Sequence, residues 1–159
     1  MTVEANQGKP TTVRCGIYAR CAVMLHDEAA VGKQIAECRR VARETGWLVA
    51  SGCIRSDAGT SRTSIAGRPG LQALRAVAET KARPFDVLCC ESISRMSRNL
   101  SDVLAIEDTL RRNGIQLSFV ADEIRSSILD AEPVHGRLAH WIQFLRGARA
   151  GWHDGLAFE

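Results

Sequence analysis

Apolar and polar positions alternate from the first structured stretch of the chain. Val13, Cys15, Ile17 and Ala19 fall on one face of a period-two pattern, which predicts a strand over residues 13–19. Asp27 then reads as a helix N-cap, and Val31, Ile35, Cys38 and Ala42 recur at helical spacing until Gly46 stops the helix. Trp47 to Ile54 predicts a second strand. Arg55 to Gly67 is a polar loop without periodicity, of a length that is often functional. Pro69 suits the first turn of a second helix whose apolar side is Leu71, Leu74 and Val77. Phe85 to Cys90 is a short apolar run, as in a strand buried on both faces, and Glu91 to Asn99 reads as a loop or a short helical turn. Leu100, Val103, Leu104 and Leu110 mark a third helix ended by Gly114, and Ile115 to Val120 a fourth strand. This order predicts a three-layer α/β/α domain around a mainly parallel sheet of four or five strands.

The flanks read differently. Residues 1–12 are polar and expected to be a disordered tail, and residues 121–135 are irregular. From Gly136 a helix is predicted through Leu138, Trp141, Ile142, Leu145 and Ala148. Three divisions follow: a tail (1–12), the α/β domain (13–135), and a C-terminal helix and tail (136–159). An apolar helix that leaves a domain needs a partner surface, although the same side chains serve equally well as ordinary core.

Composition narrows this picture only a little. With 159 residues the chain makes one domain with a substantial core; 45% hydrophobic and 25% charged residues are ordinary for a globular protein. Aromatics are 5%, so Leu, Ile, Val and Ala must fill the core. A net charge of +3 is too small to indicate a nucleic-acid partner by itself. Six cysteines without a C-x-x-C pair read as buried free thiols in a reducing compartment, and a disulfide framework is not expected. His26, His135, His140 and His153 have no metal-ligand spacing with cysteine, so neither a metal nor a cofactor is expected. There is no apolar run of membrane-spanning length, and residues 1–11 do not resemble a signal peptide; the chain reads as cytoplasmic with no membrane partner.

Candidate chemistry lies at the carboxyl ends of the predicted strands, where open α/β sheets form their sites. Arg20 follows strand one, Arg68 closes the loop after strand two, and Arg95 and Arg98 follow strand three. The planar guanidinium fork matches two phosphate oxygens, and converging arginines stabilise charge on a phosphoryl group in flight. Any one of them alone reads as a solvated surface arginine; their joint placement is the signal.

Tyr18-Ala19-Arg20-Cys21-Ala22 resembles the opening strand of the serine recombinases (resolvases and DNA invertases), Tyr-x-Arg-x-Ser, up to its last residue. Gln34 matches the glutamine on the following helix. Ser56-Asp57-Ala58-Gly59 with Ser61, Thr63 and Ser64 resembles the family's Asp-x-x-x-Ser-Gly-x-Ser loop. Gly67-Arg68-Pro69-Gly70-Leu71 resembles its Arg-Pro-Gly-Leu helix start, and Ser94-Arg95-Met96-Ser97-Arg98 its Asp-Arg-x-x-Arg motif. The match runs in consistent order over residues 13–123. It implies a resolvase-like catalytic domain in which serine attacks the scissile phosphodiester, without a metal, giving a phosphoserine link and a free 3′ hydroxyl. The arginines matching Arg20, Arg68, Arg95 and Arg98 surround the phosphate there, and the carboxylates matching Asp57 and Ser94 assist or orient them. The resemblance also implies DNA as partner, assembly as dimer or tetramer, and a dimerisation helix carrying Trp141, Ile142 and Leu145.

Three departures stand against that activity. Ala22 occupies the nucleophile position and has no oxygen, Ser94 replaces a carboxylate, and Arg62 replaces a glycine. Cys21 points away from Arg20 in a regular strand and so is not expected to substitute as nucleophile. The leading expectation is a recombinase catalytic domain inactive as written. The alternatives are a non-catalytic relative acting as a dimerisation or regulatory partner, or an unrelated α/β protein binding a phosphorylated ligand.

Overall fold

A computed structural model describes residues 12–21, 28–58, 66–97, 99–121 and 124–125. They form a five-stranded sheet in the order β2-β1-β3-β4-β5. The strands are β1 (Arg14–Cys21), β2 (Leu48–Ala58), β3 (Val87–Cys90), β4 (Gln116–Phe119) and β5 (Ile124–Arg125). The helices are α1 (Glu28–Thr45), α2 (Pro69–Ala78), α3 (Ile93–Met96) and α4 (Leu100–Arg112). The first four strands run parallel and β5 is antiparallel to β4. All the strand carboxyl ends of the parallel set therefore face one side of the molecule, where β1 lies between β2 and β3. The helices end where expected: Gly46 and Gly114 follow α1 and α4 with φ of 79° and 69°.

Two expectations are corrected. The second strand does not stop at Ile54; it continues through Arg55, Ser56 and Asp57 to Ala58, each paired with β1 from Tyr18 to Cys21. Ser and Asp are poor strand formers, but pairing with a buried central strand outweighs that local preference. The register slips on the way, with Cys15 opposite Val49 and Ile17 opposite Ile54, so β2 bulges and then re-engages. Residues 124–125, expected to be irregular, add the antiparallel edge strand β5. The expected N-cap Asp27, the tail before Thr12 and the whole 136–159 helix lie outside the described residues.

The sheet buries both faces. On one side α1 lays Cys38 and Ala42 on Cys15, Ile17, Val87 and Cys89. On the other, α2, α3 and α4 place Leu71, Leu74, Ile93, Met96, Val103, Ile106 and Leu110 against Tyr18, Leu88, Cys90, Leu117 and Phe119. Cys89 and Cys90 thus fill opposite faces of β3, and all six cysteines are buried free thiols. Burial pushes the Cys90 thiol up to about 12 and raises Cys38 further, which keeps both protonated and unreactive. Among the described residues no helix is long and apolar enough to cross a membrane.

At the amino ends of the strands, Asp86 ties β1 to the turn before β3. It accepts the Arg14 backbone N–H at 2.9 Å and the Arg14 guanidinium at 3.1 Å, and Arg83 approaches to 3.2 Å. The Arg14 hydrogen bonds hold its carboxyl below the ordinary carboxylate range. A depressed carboxylate stabilises the fold above its unfolded pKa, and that stability is lost as pH falls through the folded value. Asp86→Asn should therefore lower unfolding free energy at pH 7 by about 1 kcal/mol, since Arg14 and Arg83 are partly solvated. Urea denaturation should show the deficit shrinking toward zero under acid conditions that protonate Asp86.

Candidate functional site

The carboxyl end of β1 is held by an amide acting as a short stretch of strand. Gln34, buried in α1, accepts the Arg20 backbone N–H at 3.0 Å and donates to the Arg20 carbonyl at 2.9 Å. With both main-chain groups of Arg20 fixed, its side chain leaves on the same face as Tyr18, toward α3. Arg20 as a whole is 2% exposed. Its Nε donates to the Arg95 carbonyl at 2.8 Å and its Nη2 to the Ser94 carbonyl at 2.9 Å.

Arg68 arrives at the same place from another direction. It precedes Pro69, which opens α2, and the proline keeps Arg68 out of helical backbone geometry at φ −120° and ψ 83°. Its side chain is 1% exposed, and Nη1 donates to the carbonyl of Met96. The carbonyls of residues 94, 95 and 96 thus receive two guanidinium groups in succession. These are the carbonyls that a one-turn helix leaves without intrahelical partners, at the negative end of its dipole. Two buried positive charges are therefore drawn together by backbone oxygens.

The start of α2 is secured from β2. Asp57 accepts the Gly70 N–H through Oδ1 at 2.8 Å, and the Leu71 N–H and Tyr18 hydroxyl through Oδ2, each at 3.0 Å. Burial, reinforced by the Asp57 charge, raises the Tyr18 phenol and keeps it a donor. Asp57 lies within β2 and pairs with Arg20 of β1, so the local element that carries it is not the loop expected there.

Arg95 is arranged differently from the other two. Its side chain is about two-fifths exposed, and Nε donates to Glu91 at 2.9 Å. It meets Arg20 through its carbonyl. Ser94 also meets Arg20 through its carbonyl, while its hydroxyl shares a hydrogen bond with Ser92 at 3.1 Å. Cys21 is buried and, by strand alternation, faces away from Arg20. Ala22 and Arg98 lie outside the described residues, as do Trp141, Ile142 and Leu145. Sequence reasoning placed Arg20 and Arg68 at the strand ends and took Gln34 and Asp57 from the family resemblance; in the structure Gln34 binds the Arg20 backbone, Asp57 the first turn of α2, and both arginines the carbonyls of α3. It missed Gly70 and the three α3 carbonyls as parts of the site. Backbone acceptors leave no side-chain signature; Gly70 had one, its place after Arg68-Pro69.

The family model for the resolvase N-terminal domain matches residues 15–144. Among solved structures, the N-terminal catalytic domain of TP901-1 integrase is 25% identical, covering 86% of this chain and 98% of its own, with a TM-score of 0.67. The C-terminal catalytic domain of ISC1926 TnpA, an IS607-like serine recombinase, is also 25% identical, with 68% and 70% covered and a TM-score of 0.58. A resolvase family site-specific recombinase from Streptococcus pneumoniae, 21% identical with 91% and 95% covered, has the same fold at a TM-score of 0.67. No curated protein matches the chain.

The clamp on β1 gives a direct test of how the site is held. Gln34→Ala leaves the Arg20 N–H and C=O without their side-chain partner inside the protein. Unfolding free energy measured in urea should fall by about 2–3 kcal/mol, the cost of orphaning two buried backbone groups. A loss under about 0.5 kcal/mol, the scale of an ordinary surface substitution, would mean that the clamp does not hold the strand end.

Proposed function

The chain belongs to the resolvase N-terminal domain family, and we propose that it is a serine-recombinase catalytic scaffold that takes a DNA phosphate but cannot cut there. One observation carries this reading: Arg20 and Arg68, from two different elements, converge on one turn of helix at the carboxyl end of the sheet. Two guanidinium groups neutralise the non-bridging oxygens of a phosphodiester, and in a water-poor setting each contact is stronger than at an open surface. Because both side chains are almost fully buried, the phosphate must take the place of whatever covers them. Arg95 and Arg98 complete the cationic set by resemblance.

In the family reaction a serine oxygen attacks phosphorus, forming the phosphoserine bond as the bond to the 3′ oxygen breaks, and a tetramer exchanges the cut strands. Ala22 offers no oxygen for that bond. Gln34, Asp57 and Tyr18 act on this chain's own backbone and arginines, and no metal is needed. Self-association would run through Trp141, Ile142 and Leu145, and specific DNA affinity would be weak without further phosphate contacts.

A second reading, a non-catalytic partner that pairs with an active relative, draws on the same alanine. Ser94 alone does not favour it, because Arg95 keeps a carboxylate partner in Glu91. The two readings separate on repair of the nucleophile.

Ala22→Ser should convert the protein into one that becomes covalently linked to supercoiled DNA carrying candidate crossover sites, seen as a protein–DNA adduct under denaturing conditions. The chain with Ala22 should form none, and Arg68→Met added to the repaired protein should reduce adduct at least about 100-fold, the scale of losing an electrostatic transition-state contact. An adduct from the unrepaired chain that disappears with Cys21→Ala would overturn the proposal. DNA binding without adduct in the Ala22→Ser protein would favour the non-catalytic partner.

A further inference from the structure

We propose that α3 is an internal stand-in for the phosphate, and that DNA enters the arginine site by exchange with the α3 carbonyls. The exchange rests on the phosphate-binding reading of Arg20 and Arg68, and it names what closes that site in the free protein. Both arginines are almost fully buried, so no ligand reaches either side chain while α3 stays in place. Arg20 presents one edge of its guanidinium, Nε and Nη2, to the carbonyls of Arg95 and Ser94 at 2.8 and 2.9 Å. A guanidinium forks a phosphate with two parallel donors in the same way. The next carbonyl along, that of Met96, takes Nη1 of Arg68. Three backbone oxygens therefore occupy donor positions on two arginines that a phosphodiester would bridge. A carbonyl is a dipole and a phosphate carries a full charge, so the phosphate is the stronger partner where water is excluded. Arg68 Nε is buried with no hydrogen-bond partner among the described residues, a donor that the carbonyls leave unserved.

The element that closes the site has little of its own to hold it. α3 spans only Ile93–Met96, and the residues at its two ends, Ser92 and Ser97, have extended backbone. The Arg95 N–H reaches the Ser92 carbonyl at 3.1 Å and the Ser97 N–H the Ile93 carbonyl at 3.0 Å. A single turn gains little from such bonds. Ser92 makes no side-chain capping bond; its hydroxyl pairs with that of Ser94 at 3.1 Å. Ile93 and Met96 anchor the turn in the core, and their burial sets the cost of opening. Gln34 holds the Arg20 backbone and Asp57 the start of α2, by hydrogen bonds that do not involve α3. Both arginines thus keep their origins when the turn moves.

Loosening α3 tests the exchange. In the ligand-free protein, phenylglyoxal, which reacts with accessible guanidinium groups, should label Arg20 and Arg68 together about two- to fivefold faster in Ser92→Gly, the scale of the backbone freedom that glycine adds. Arg14, at the other end of the sheet, should label as before. Ile93→Ala, which removes part of the anchor, should quicken Arg20 and Arg68 as well. Affinity for a short DNA duplex should rise in Ser92→Gly by the same factor, because a closed site binds in proportion to its open fraction. Adding Arg20→Met or Arg68→Met should abolish the gain. A turn with a merely structural role gives the opposite sign, weaker binding when it is loosened. Unchanged labelling in both variants would overturn the proposal, as would quickened labelling with unchanged or weakened binding. If Ile93→Ala does not fold, Ser92→Gly decides. Quickened labelling with no duplex bound by any form, the unaltered chain included, would instead sink the phosphate-binding reading and leave the closure by α3 standing.

Discussion

Three successive carbonyls on the one-turn helix α3 accept two buried guanidinium groups, and most of the site's geometry follows from that meeting. Buried cations are costly unless their donors are satisfied. Here the acceptors are backbone oxygens that a short helix would otherwise leave unpaired, so one arrangement answers two needs. Arg20 has to leave β1 at its carboxyl end, and Arg68 has to stand at the entrance to α2. Each is then held by a polar side chain that touches backbone: Gln34 on Arg20, and Asp57 on the first turn of α2.

The polar residues around the arginines therefore divide by what they touch. Gln34, Asp57 and Tyr18 face inward and bind strands and helix ends to one another. Arg95 is the outward member, paired with Glu91 and partly solvated. The division bears on the serine at position 94: Arg20 draws on the backbone carbonyl of that residue, so this contact does not require a carboxylate side chain there. Position 22 is the opposite case in the proposed reading, in which the family chemistry would begin at its side chain.

Much of the fold was legible because its elements carry their own punctuation. The alternation from Val13 to Ala19, the Gly46 and Gly114 stops and Pro69 before Leu71 each encode one local choice, and each element formed nearby. The continuation of β2 through Ser56 and Asp57 was not legible, because polar residues become strand there by pairing with β1. At the site, the arginines could be found by their chemistry and spacing. The acceptors that orient them could not, being main-chain atoms of Ser94, Arg95 and Met96. The cap on α2 was hidden for a related reason: it comes from a residue eleven positions before Arg68, a separation that no local pattern records.

The central claim is that Arg20 and Arg68 form one phosphate site, and the salt dependence of DNA binding tests it most directly. Affinity of the protein for a short duplex should be measured against salt concentration for the chain with Ala22, for Arg20→Met, for Arg68→Met and for the double variant. Each arginine lost from a phosphate contact should reduce the slope of log affinity against log salt by about one. Single variants should each lower the slope, and the double variant should lower it no further than about two. Slopes that stay the same in both single variants, with the fold intact, would contradict the account.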